Sequence, residues 1–272
     1  MVKELWQILF TSKTKLLFMK QIVIALLLVV GMSFVASAQS PKIIAHRGAW
    51  KNTESPQNSI AALRHAIDQG VWGAEFDVHL TKDDVLVVNH DQDFLGIDIA
   101  TSTYEELLRK SLPNGEKIPT AEEYLREGLK QKKTKMVFEI KSNKLGVERT
   151  LKATELSYQL VKKFKAEKDV VFIAFSYPAC LKLRELDSKV KVQYLNGDKT
   201  PAQLKQDKIY ELDYNLGVLK KHPEYVAEAK KLGIKTNVWT VNKEEDMKYF
   251  IEQGVDFITT DEPELLKSML KK

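Results

Sequence analysis

Short apolar runs rich in β-branched residues alternate with longer amphipathic segments from residue 42 to the end of the chain. Such runs are typical of strands, and the segments between them carry apolar residues at helical spacing. The pattern predicts eight strands, at residues 42–45, 74–78, 135–140, 170–175, 190–194, 210–212, 235–239 and 257–260. It predicts eight helices, near residues 59–69, 120–130, 147–165, 178–186, 201–205, 223–232, 243–253 and 262–270.

Eight strands that each precede a helix indicate an α/β fold, the closed parallel (β/α)8 barrel of the TIM type. Residues 39–272 number 234, close to the roughly 250 that are typical of one such barrel. No linker rich in proline, glycine or serine divides them, so we expect a single domain. An open doubly wound sheet is the alternative, but no glycine-rich dinucleotide-binding loop follows any predicted strand. The sixth strand is the least regular, because it carries Glu211 and runs on to Asp213.

The longest stretch without a periodic pattern runs from about residue 91 to residue 119 and contains Gly96, Pro113, Gly115 and Pro119. Loops this long within a compact domain are usually functional. We therefore expect this stretch to form a lid or pocket wall beside the active site.

Residues 1–38 have the features of a secretory signal peptide. Lys20 precedes an apolar stretch at residues 22–30, and the small residues Ala36-Ser37-Ala38 stand before Gln39. The apolar stretch is shorter than the ~20 residues that span a bilayer. We expect cleavage after residue 38, export to the periplasm or the medium, and no stable membrane insertion of the mature chain. A retained membrane anchor is the alternative.

The start residue, the net charge and the single cysteine restrict the form of the mature chain and its partners. Met19 has the form of a natural start, which makes residues 1–18 a candidate upstream extension. Removal of residues 1–38 takes away four lysines and one glutamate and lowers the net charge from +5 to +2. A nearly neutral surface predicts no nucleic-acid partner, and the sequence favours no particular oligomeric state. Cys180 is the only cysteine, so no internal disulfide forms, and a buried inert thiol is expected there.

Carboxylates mark the ends of two predicted strands. In a parallel barrel the active site forms at the C-terminal ends of the strands. Side chains alternate along a strand, so Glu75 and Asp77 face the barrel mouth while Phe76 faces the helices. Two carboxylates so close repel each other unless a cation lies between them. Glu139 repeats the arrangement one strand later.

Three neighbouring carboxylates form an oxygen site suited to one divalent cation, Ca²⁺ or Mg²⁺. Cysteine and histidine do not occur at the spacing of zinc ligands. The alternative is that Glu75 and Asp77 form ordinary ion pairs with lysine or arginine. The recurrence at Glu139, with histidines at two more strand ends, favours the metal site.

Two histidines and two cationic residues complete the candidate site. His46 and His90 follow apolar runs and precede loops, and a histidine pair can divide the roles of general acid and general base. Arg47 offers a planar set of donors that fits phosphate oxygens, and Lys141 adds a point charge. These groups are what the hydrolysis of a phosphodiester requires. We interpret the other three histidines as structural, although one of them lies close to the barrel mouth: His65, His222 and His79.

Nine short motifs resemble those of the glycerophosphodiester phosphodiesterase family, over essentially all of residues 39–272. They are His46-Arg47-Gly48, Pro56-Gln57-Asn58-Ser59, Glu75-Phe76-Asp77-Val78, Thr81-Lys82-Asp83, His90-Asp91, Ile118-Pro119-Thr120, Phe138-Glu139-Ile140-Lys141, Val238-Trp239-Thr240-Val241-Asn242 and Ile258-Thr259-Thr260-Asp261-Glu262-Pro263. The resemblance implies a TIM-type barrel that hydrolyses glycerophosphodiesters to glycerol 3-phosphate and an alcohol with a divalent cation. It implies that Glu75, Asp77 and Glu139 are metal ligands and that His46 and His90 are the acid–base pair. It further implies that Arg47 and Lys141 bind the phosphate and that Trp239 lines the pocket.

The chain departs from the family pattern at one position. The family usually has Pro-Glu-Asn-Thr where this chain has Pro56-Gln57-Asn58-Ser59, so a negative charge near Arg47 is lost. We expect altered substrate fit or pH dependence rather than lost catalysis. Ser59 can cap the following helix, although Asn58 competes for that role. We expect residues 261–263 to cap the final helix rather than to contact substrate.

Two alternative functions remain at this stage. One is a phospholipase-type diesterase that acts on phosphatidylinositol or sphingomyelin-like lipids. It is disfavoured because no apolar loop stands out, the nearest candidate being residues 94–97. The other is a non-catalytic barrel that binds phosphodiesters, which predicts a damaged site.

Overall fold

A computed structural model describes residues 40–209 and 211–271. Within them the chain forms a closed parallel barrel of eight strands surrounded by helices, as the sequence predicts. The predicted signal peptide lies outside the described residues, so cleavage and export stay predictions. None of the described helices is long and apolar enough to cross a membrane.

Eleven strands occur in the described residues, eight of them in the barrel. In chain order they are β1 (Lys42–Ala45), β2 (Gly73–Leu80), β3 (Leu86–Val88), β4 (Asp93–Phe94), β5 (Ile97–Asp98), β6 (Lys135–Ile140), β7 (Val170–Ala174), β8 (Val192–Tyr194), β9 (Glu211–Asn215), β10 (Lys235–Trp239) and β11 (Phe257–Thr260). The barrel order is β1-β2-β6-β7-β8-β9-β10-β11, and the pairing of β11 with β1 closes it.

Ten helices surround these strands in the described part of the chain. They are α1 (Ile60–Gln69), α2 (Tyr104–Leu107), α3 (Ala121–Gly128), α4 (Val147–Lys163), α5 (Tyr177–Leu186), α6 (Pro201–Gln206), α7 (Leu216–Lys221), α8 (Glu224–Leu232), α9 (Glu244–Gln253) and α10 (Pro263–Met269). Eight of them are the predicted helices, with ends that differ by one or two residues. The short helices α2 and α7 were not predicted.

Helix α1 shows how local sequence fixes an element next to the site. The Ser59 side chain accepts a hydrogen bond from the Ala62 N–H at 3.0 Å, which satisfies one of the free donors at the helix start. Gly70 ends the helix with φ 65°, a left-handed conformation that glycine adopts without steric cost. Ser59, and not Asn58, is therefore the cap.

The segment between β2 and α3 is more ordered than the sequence indicated. Strand β3 pairs antiparallel with β2, and β4 and β5 form a hairpin. The segment has its own small apolar cluster, formed by Val87, Phe94, Ile99, Leu107 and Ile118. None of residues 91–119 lines the active-site cavity described below, so the prediction of a pocket wall is wrong, while that of a lid stays a prediction. The segment instead packs beside the barrel as an accessory unit.

Two apolar layers support the barrel. One lies between the strands and the helices and includes Phe76, Phe138 and Phe172. The other lies inside the barrel and contains Ile44, Val137, Ile173, Leu195 and Phe257. Cys180 is fully buried on α5, and burial raises the pKa of its thiol, in keeping with an inert structural role.

Candidate active site

The carboxylates of Glu75, Asp77 and Glu139 meet inside the mouth of the barrel. Alternation along β2 places Glu75 and Asp77 on the inner face, and the parallel register pairs Asp77 with Glu139 of β6. One oxygen from each side chain lies within 4.8 Å of the others, and all three residues are buried. The intervening Phe76 and Phe138 point outward and pack edge-on, with ring centroids 4.8 Å apart.

The loop after β1 is held in a conformation that its glycine makes possible. Arg47 and Gly48 have φ 56° and 81°. A Cβ atom on residue 48 would lie 2.7 Å from the carbonyl carbon of Ala62 in α1, a distance that real side chains do not adopt. The Arg47 N–H donates to Glu75 Oε2 at 2.8 Å, so the loop backbone orients one carboxylate of the cluster.

Asn58 fixes a second carboxylate. Its side-chain amide donates to Asp77 Oδ2 at 2.8 Å, and its oxygen accepts from the Asp77 N–H at 3.1 Å. The Asn58 N–H donates to the Arg47 carbonyl oxygen at 3.0 Å, which joins the two ends of the loop between β1 and α1. The sequence identified Asn58 only as a competing helix cap. The partner of the Asn58 side chain is Asp77, 19 residues away in sequence. Only the position of Asn58 within a family motif drew attention to it.

The electrostatics of the cluster favour a bound cation. Burial, followed by repulsion from Asp77 and Glu139, raises the pKa of Glu75 well above its usual range. Burial and then Asp77 raise the pKa of Glu139 to about 7. Burial would also raise the pKa of Asp77, but the attraction of Lys141 and other neighbours lowers it to about 2. Glu75 Oε1 is buried without a hydrogen-bond partner in the described residues. The donor set therefore fits a hard divalent ion.

Two cationic side chains border the carboxylates. Lys141 Nζ lies 3.1 Å from Asp77 Oδ1 and 2.9 Å from Glu139 Oε1. Arg47 Nη1 donates to Gln57 Oε1 at 2.5 Å, so Gln57 holds the guanidinium although it lacks the charge of glutamate. Arg47 Nε is buried 3.7 Å from Asp77 Oδ2 and makes no hydrogen bond within residues 40–209 and 211–271.

His46 is held by a carboxylate from the other end of the chain. Its Nδ1 lies 2.7 Å from Asp261 Oδ1. Asn242 donates to Asp261 Oδ2 at 2.7 Å, and the Trp50 indole N–H donates to Oδ1 at 3.3 Å. Burial would raise the pKa of Asp261, but its contact with His46 lowers it. The prediction that residues 261–263 only cap α10 is therefore wrong for Asp261. Nor does the Glu262 side chain cap α10 in the described structure.

His90 has a more exposed partner. Its Nδ1 lies 2.7 Å from Asp91 Oδ1, and 76% of the Asp91 side-chain surface is exposed. Burial lowers the pKa of His90, with Lys141 and Arg47 adding to the effect against the attraction of Asp77. The buried His79 places its Nε2 3.1 Å from the His90 carbonyl oxygen, which agrees with the structural role expected for it.

A cavity of about 200 Å³ opens among these groups. Six of the predicted residues line it together with Trp239: His46, Arg47, Glu75, His90, Glu139 and Lys141. Asp77 is buried behind them. Asp213 of β9 also lines the cavity, although the sequence analysis noted it only as an irregularity in a strand. Burial, and then Glu139, raise the pKa of Asp213 well above its usual range.

The barrel brings two histidines, two cationic side chains and a buried carboxylate cluster to one cavity. A model of the glycerophosphoryl diester phosphodiesterase family matches residues 46–265, and the chain belongs to that family. The resemblance noted in the sequence is thereby confirmed. Membership makes the chain a phosphoric diester hydrolase that acts on glycerophosphodiesters, not a non-catalytic binding barrel.

Individual relatives agree with this assignment. The chain is 32% identical over 254 residues to a glycerophosphodiester phosphodiesterase of Caldanaerobacter subterraneus subsp. tengcongensis, covering 85% of this chain and 98% of the relative. A crystal structure of a glycerophosphodiester phosphodiesterase from Parabacteroides distasonis is 46% identical, with a TM-score of 0.83 over 85% of this chain and 97% of that one. An Oleispira antarctica phosphodiesterase, solved with its product sn-glycerol-3-phosphate, shares the fold at 21% identity and a TM-score of 0.72, covering 86% of this chain and 98% of that one.

Proposed function

We propose that the protein hydrolyses glycerophosphodiesters to glycerol 3-phosphate and an alcohol, with one divalent cation, Ca²⁺ or Mg²⁺, held by Glu75, Asp77 and Glu139. The observation that carries the proposal is the cluster of three buried carboxylates beside Arg47. A buried oxygen of this cluster has no partner in the described residues. A bound cation supplies positive charge that stabilises the charge developing on the phosphate.

Arg47 and Lys141 bind the phosphate in this proposal. Both line the cavity, and both are held from behind, Arg47 by Gln57 and Lys141 by Asp77 and Glu139. Fixed donors stabilise developing charge without a reorganisation cost at the moment of reaction. Together they orient the diester against the two histidines.

His46 and His90 divide the proton transfers. Carboxylates hold the Nδ1 atoms of both rings, which leaves Nε2 of each for the reaction. One histidine takes the proton from the nucleophile, and the other gives a proton to the leaving alkoxide. The nucleophile is either water or a hydroxyl of the substrate's own glycerol. The second case produces a cyclic phosphate first, which ³¹P NMR of the products distinguishes.

The deciding experiment is the release of glycerol 3-phosphate from glycerophosphocholine, with and without EDTA. We expect turnover without chelator, loss of turnover with EDTA, and recovery on addition of Ca²⁺ or Mg²⁺. Glu139→Gln serves as a matched variant, which should need a higher cation concentration for the same rate. No turnover across a panel of diesters contradicts the proposed reaction, and full activity in EDTA contradicts the role of the metal.

A phospholipase-type activity is the second candidate, and one observation favours it. Leu95, Leu145, Val147 and Phe175 are exposed large apolar side chains, and Phe175 also lines the cavity. Phe175 therefore offers exposed apolar surface at the cavity, which suits a substrate with an acyl chain. Hydrolysis of a lysophospholipid faster than of glycerophosphocholine would favour this candidate.

We also propose that the protein is exported, on the basis of the signal-like residues 1–38. The experiment is N-terminal sequencing of the protein from the periplasm or medium of the expressing cells. We expect Gln39 as the first residue. A first residue upstream of Gln39 excludes cleavage at this site.

A further inference from the structure

Asp213 is a buried carboxyl group in the active-site cavity that the proposed mechanism does not use. Its residue is 1% exposed, and it lines the same cavity as His46, Arg47 and Glu139. Its Oδ1 atom is buried and has no hydrogen-bond partner anywhere in the described part of the chain. A buried polar atom without a partner destabilises a protein, which indicates that a ligand provides the partner.

The surrounding polar residues are already paired with one another. Asn237, which neighbours Asp213 on β10, donates to Gln193 Oε1 at 3.2 Å and accepts from Thr259 Oγ1 at 3.1 Å. Gln193 in turn donates to Glu211 Oε2 at 2.8 Å. Asn237 also acts on the Asp213 carboxyl group and lowers its pKa, but none of these residues pairs with Oδ1 itself.

Asp213 lies outside the cluster of three carboxylates, although Glu139 of that cluster is near enough to repel it. In the order of the closed barrel, β9 lies directly across from β2, which carries Glu75 and Asp77. Asp213 is not one of the three residues whose oxygens gather within 4.8 Å. Arg47 and Lys141, the cations of the cavity, are paired with residues on the other side. A carboxyl group at this position suits a neutral hydroxyl rather than the phosphate.

Trp239 forms a rigid wall beside Asp213. The indole N–H donates to the Asp213 carbonyl oxygen at 2.9 Å. The ring packs edge-on against Phe175, with centroids 5.5 Å apart. The far side of the cavity thus places a carboxyl oxygen without a partner beside aromatic surface, which matches a short polyol with carbon–hydrogen faces and hydroxyl edges.

We propose that Asp213 binds a hydroxyl of the substrate's glycerol, so that the glycerophosphate half occupies the inner cavity and the other alcohol leaves through the mouth. Asp213 is then the residue that distinguishes a glycerophosphodiester from a diester without hydroxyls. This inference rests on the proposed function. A site built to hydrogen-bond a hydroxyl rejects a ligand that lacks it, because its own polar group stays unpaired.

The test compares two ligands that differ only in their hydroxyls, sn-glycerol 3-phosphate and n-propyl phosphate. Binding of each to the wild-type protein is measured by calorimetry in the presence of Ca²⁺ and again with Mg²⁺, which requires no turnover and is independent of the nucleophile. We expect the wild type to bind glycerol 3-phosphate about 10- to 100-fold more tightly, the range for a hydrogen bond to a buried carboxyl group. In Asp213→Leu this preference should fall to within about threefold, while the affinity for propyl phosphate stays the same.

Two further variants make the result decisive. Asp213→Asn keeps the shape of the side chain and a hydrogen-bonding group, so we expect it to retain part of the preference for glycerol 3-phosphate. It provides the test if the leucine variant fails to fold. Glu211→Gln alters a carboxyl group on the same strand that is bonded to Gln193 and does not line the cavity, and it should keep the full preference. Unchanged preference in both Asp213 variants overturns the inference while leaving the proposed function intact. Failure of the wild type to hydrolyse any glycerophosphodiester overturns the proposed function instead.

Discussion

Replacing Asp261 with asparagine tests how His46 is held for catalysis. Asp261 Oδ1 lies 2.7 Å from His46 Nδ1, and only 16% of the Asp261 side chain is exposed. In the proposed mechanism, this carboxylate fixes which nitrogen of the His46 ring carries the proton and stabilises the imidazolium that forms when the ring takes up a second proton. Asparagine keeps the shape but removes the charge, and its amide group can force the other tautomer.

The size of the effect follows from this contact. A hydrogen bond to a charged group contributes about 1.5–3 kcal/mol, and each 1.36 kcal/mol corresponds to about tenfold in rate. We therefore expect Asp261→Asn to lower kcat for glycerophosphocholine by about 10- to 150-fold with little change in KM. A reversed tautomer would enlarge the loss toward about 10⁴-fold.

Asp91→Asn is the matched control. It alters the same kind of contact to the other histidine, but the Asp91 side chain is 76% exposed, and exposed pairs contribute only about 0.2–1 kcal/mol. We expect less than about a fivefold loss of kcat from this variant. Initial rates across a pH series, with thermal unfolding to confirm the fold, provide the measurement. A kcat for Asp261→Asn within twofold of the wild type would refute the reasoning.

Three further predictions concern the same site. His46→Ala and His90→Ala should each lower the turnover of glycerophosphocholine by about 10²- to 10⁴-fold. With a p-nitrophenyl diester, whose leaving group needs no protonation, the variant that lacks the general acid should recover most of its rate. Equal losses on both substrates contradict a division of roles. The affinity for Ca²⁺ or Mg²⁺ should rise between pH 6 and pH 8, because the raised pKa of Glu139, about 7, means that the ion must displace a proton at the lower pH. Calorimetry at the two pH values checks this, and equal affinities contradict it. Gly48→Ala should lower both the melting temperature and kcat, because the new Cβ would overlap Ala62 at a left-handed φ of 81°. A soluble Gly48→Ala variant with the melting temperature and kcat of the wild type contradicts this prediction.

The barrel could be predicted from the sequence because its strands carry strong local signals. Apolar runs such as residues 135–140 and 235–239 were located at their observed bounds. The strand β9 was misjudged, since it extends to Asn215 and its inner face carries Glu211 and Asp213. Charged residues inside a barrel mouth break the apolar pattern that identifies a strand. The strands β3, β4 and β5 are only two or three residues long, too short for a periodic pattern.

The residues of the candidate site were also predicted only in part. The eight candidate residues stood out because of residue type at a predicted strand end or in a family motif, and the structure brings them to one end of the barrel. Asn58 and Asp261 were missed as partners of Asp77 and His46 because their roles depend on contacts across 19 and 215 residues. No local pattern encodes a pairing of that kind. Only the closed fold shows which carboxylate holds which ring.

The contact between His46 and Asp261 also links the completeness of the candidate site to the completeness of the barrel. One partner lies in the first loop of the barrel and the other follows its last strand, and neighbouring contacts such as Asn52 to Glu262, at 3.0 Å, join the same two ends. A chain emerging from the ribosome carries the three buried carboxylates and both histidines long before it carries Asp261. Until the final strand is made, His46 lacks its partner and the barrel cannot close. A chain that ends before the final strand therefore lacks both the closed barrel and the partner of His46.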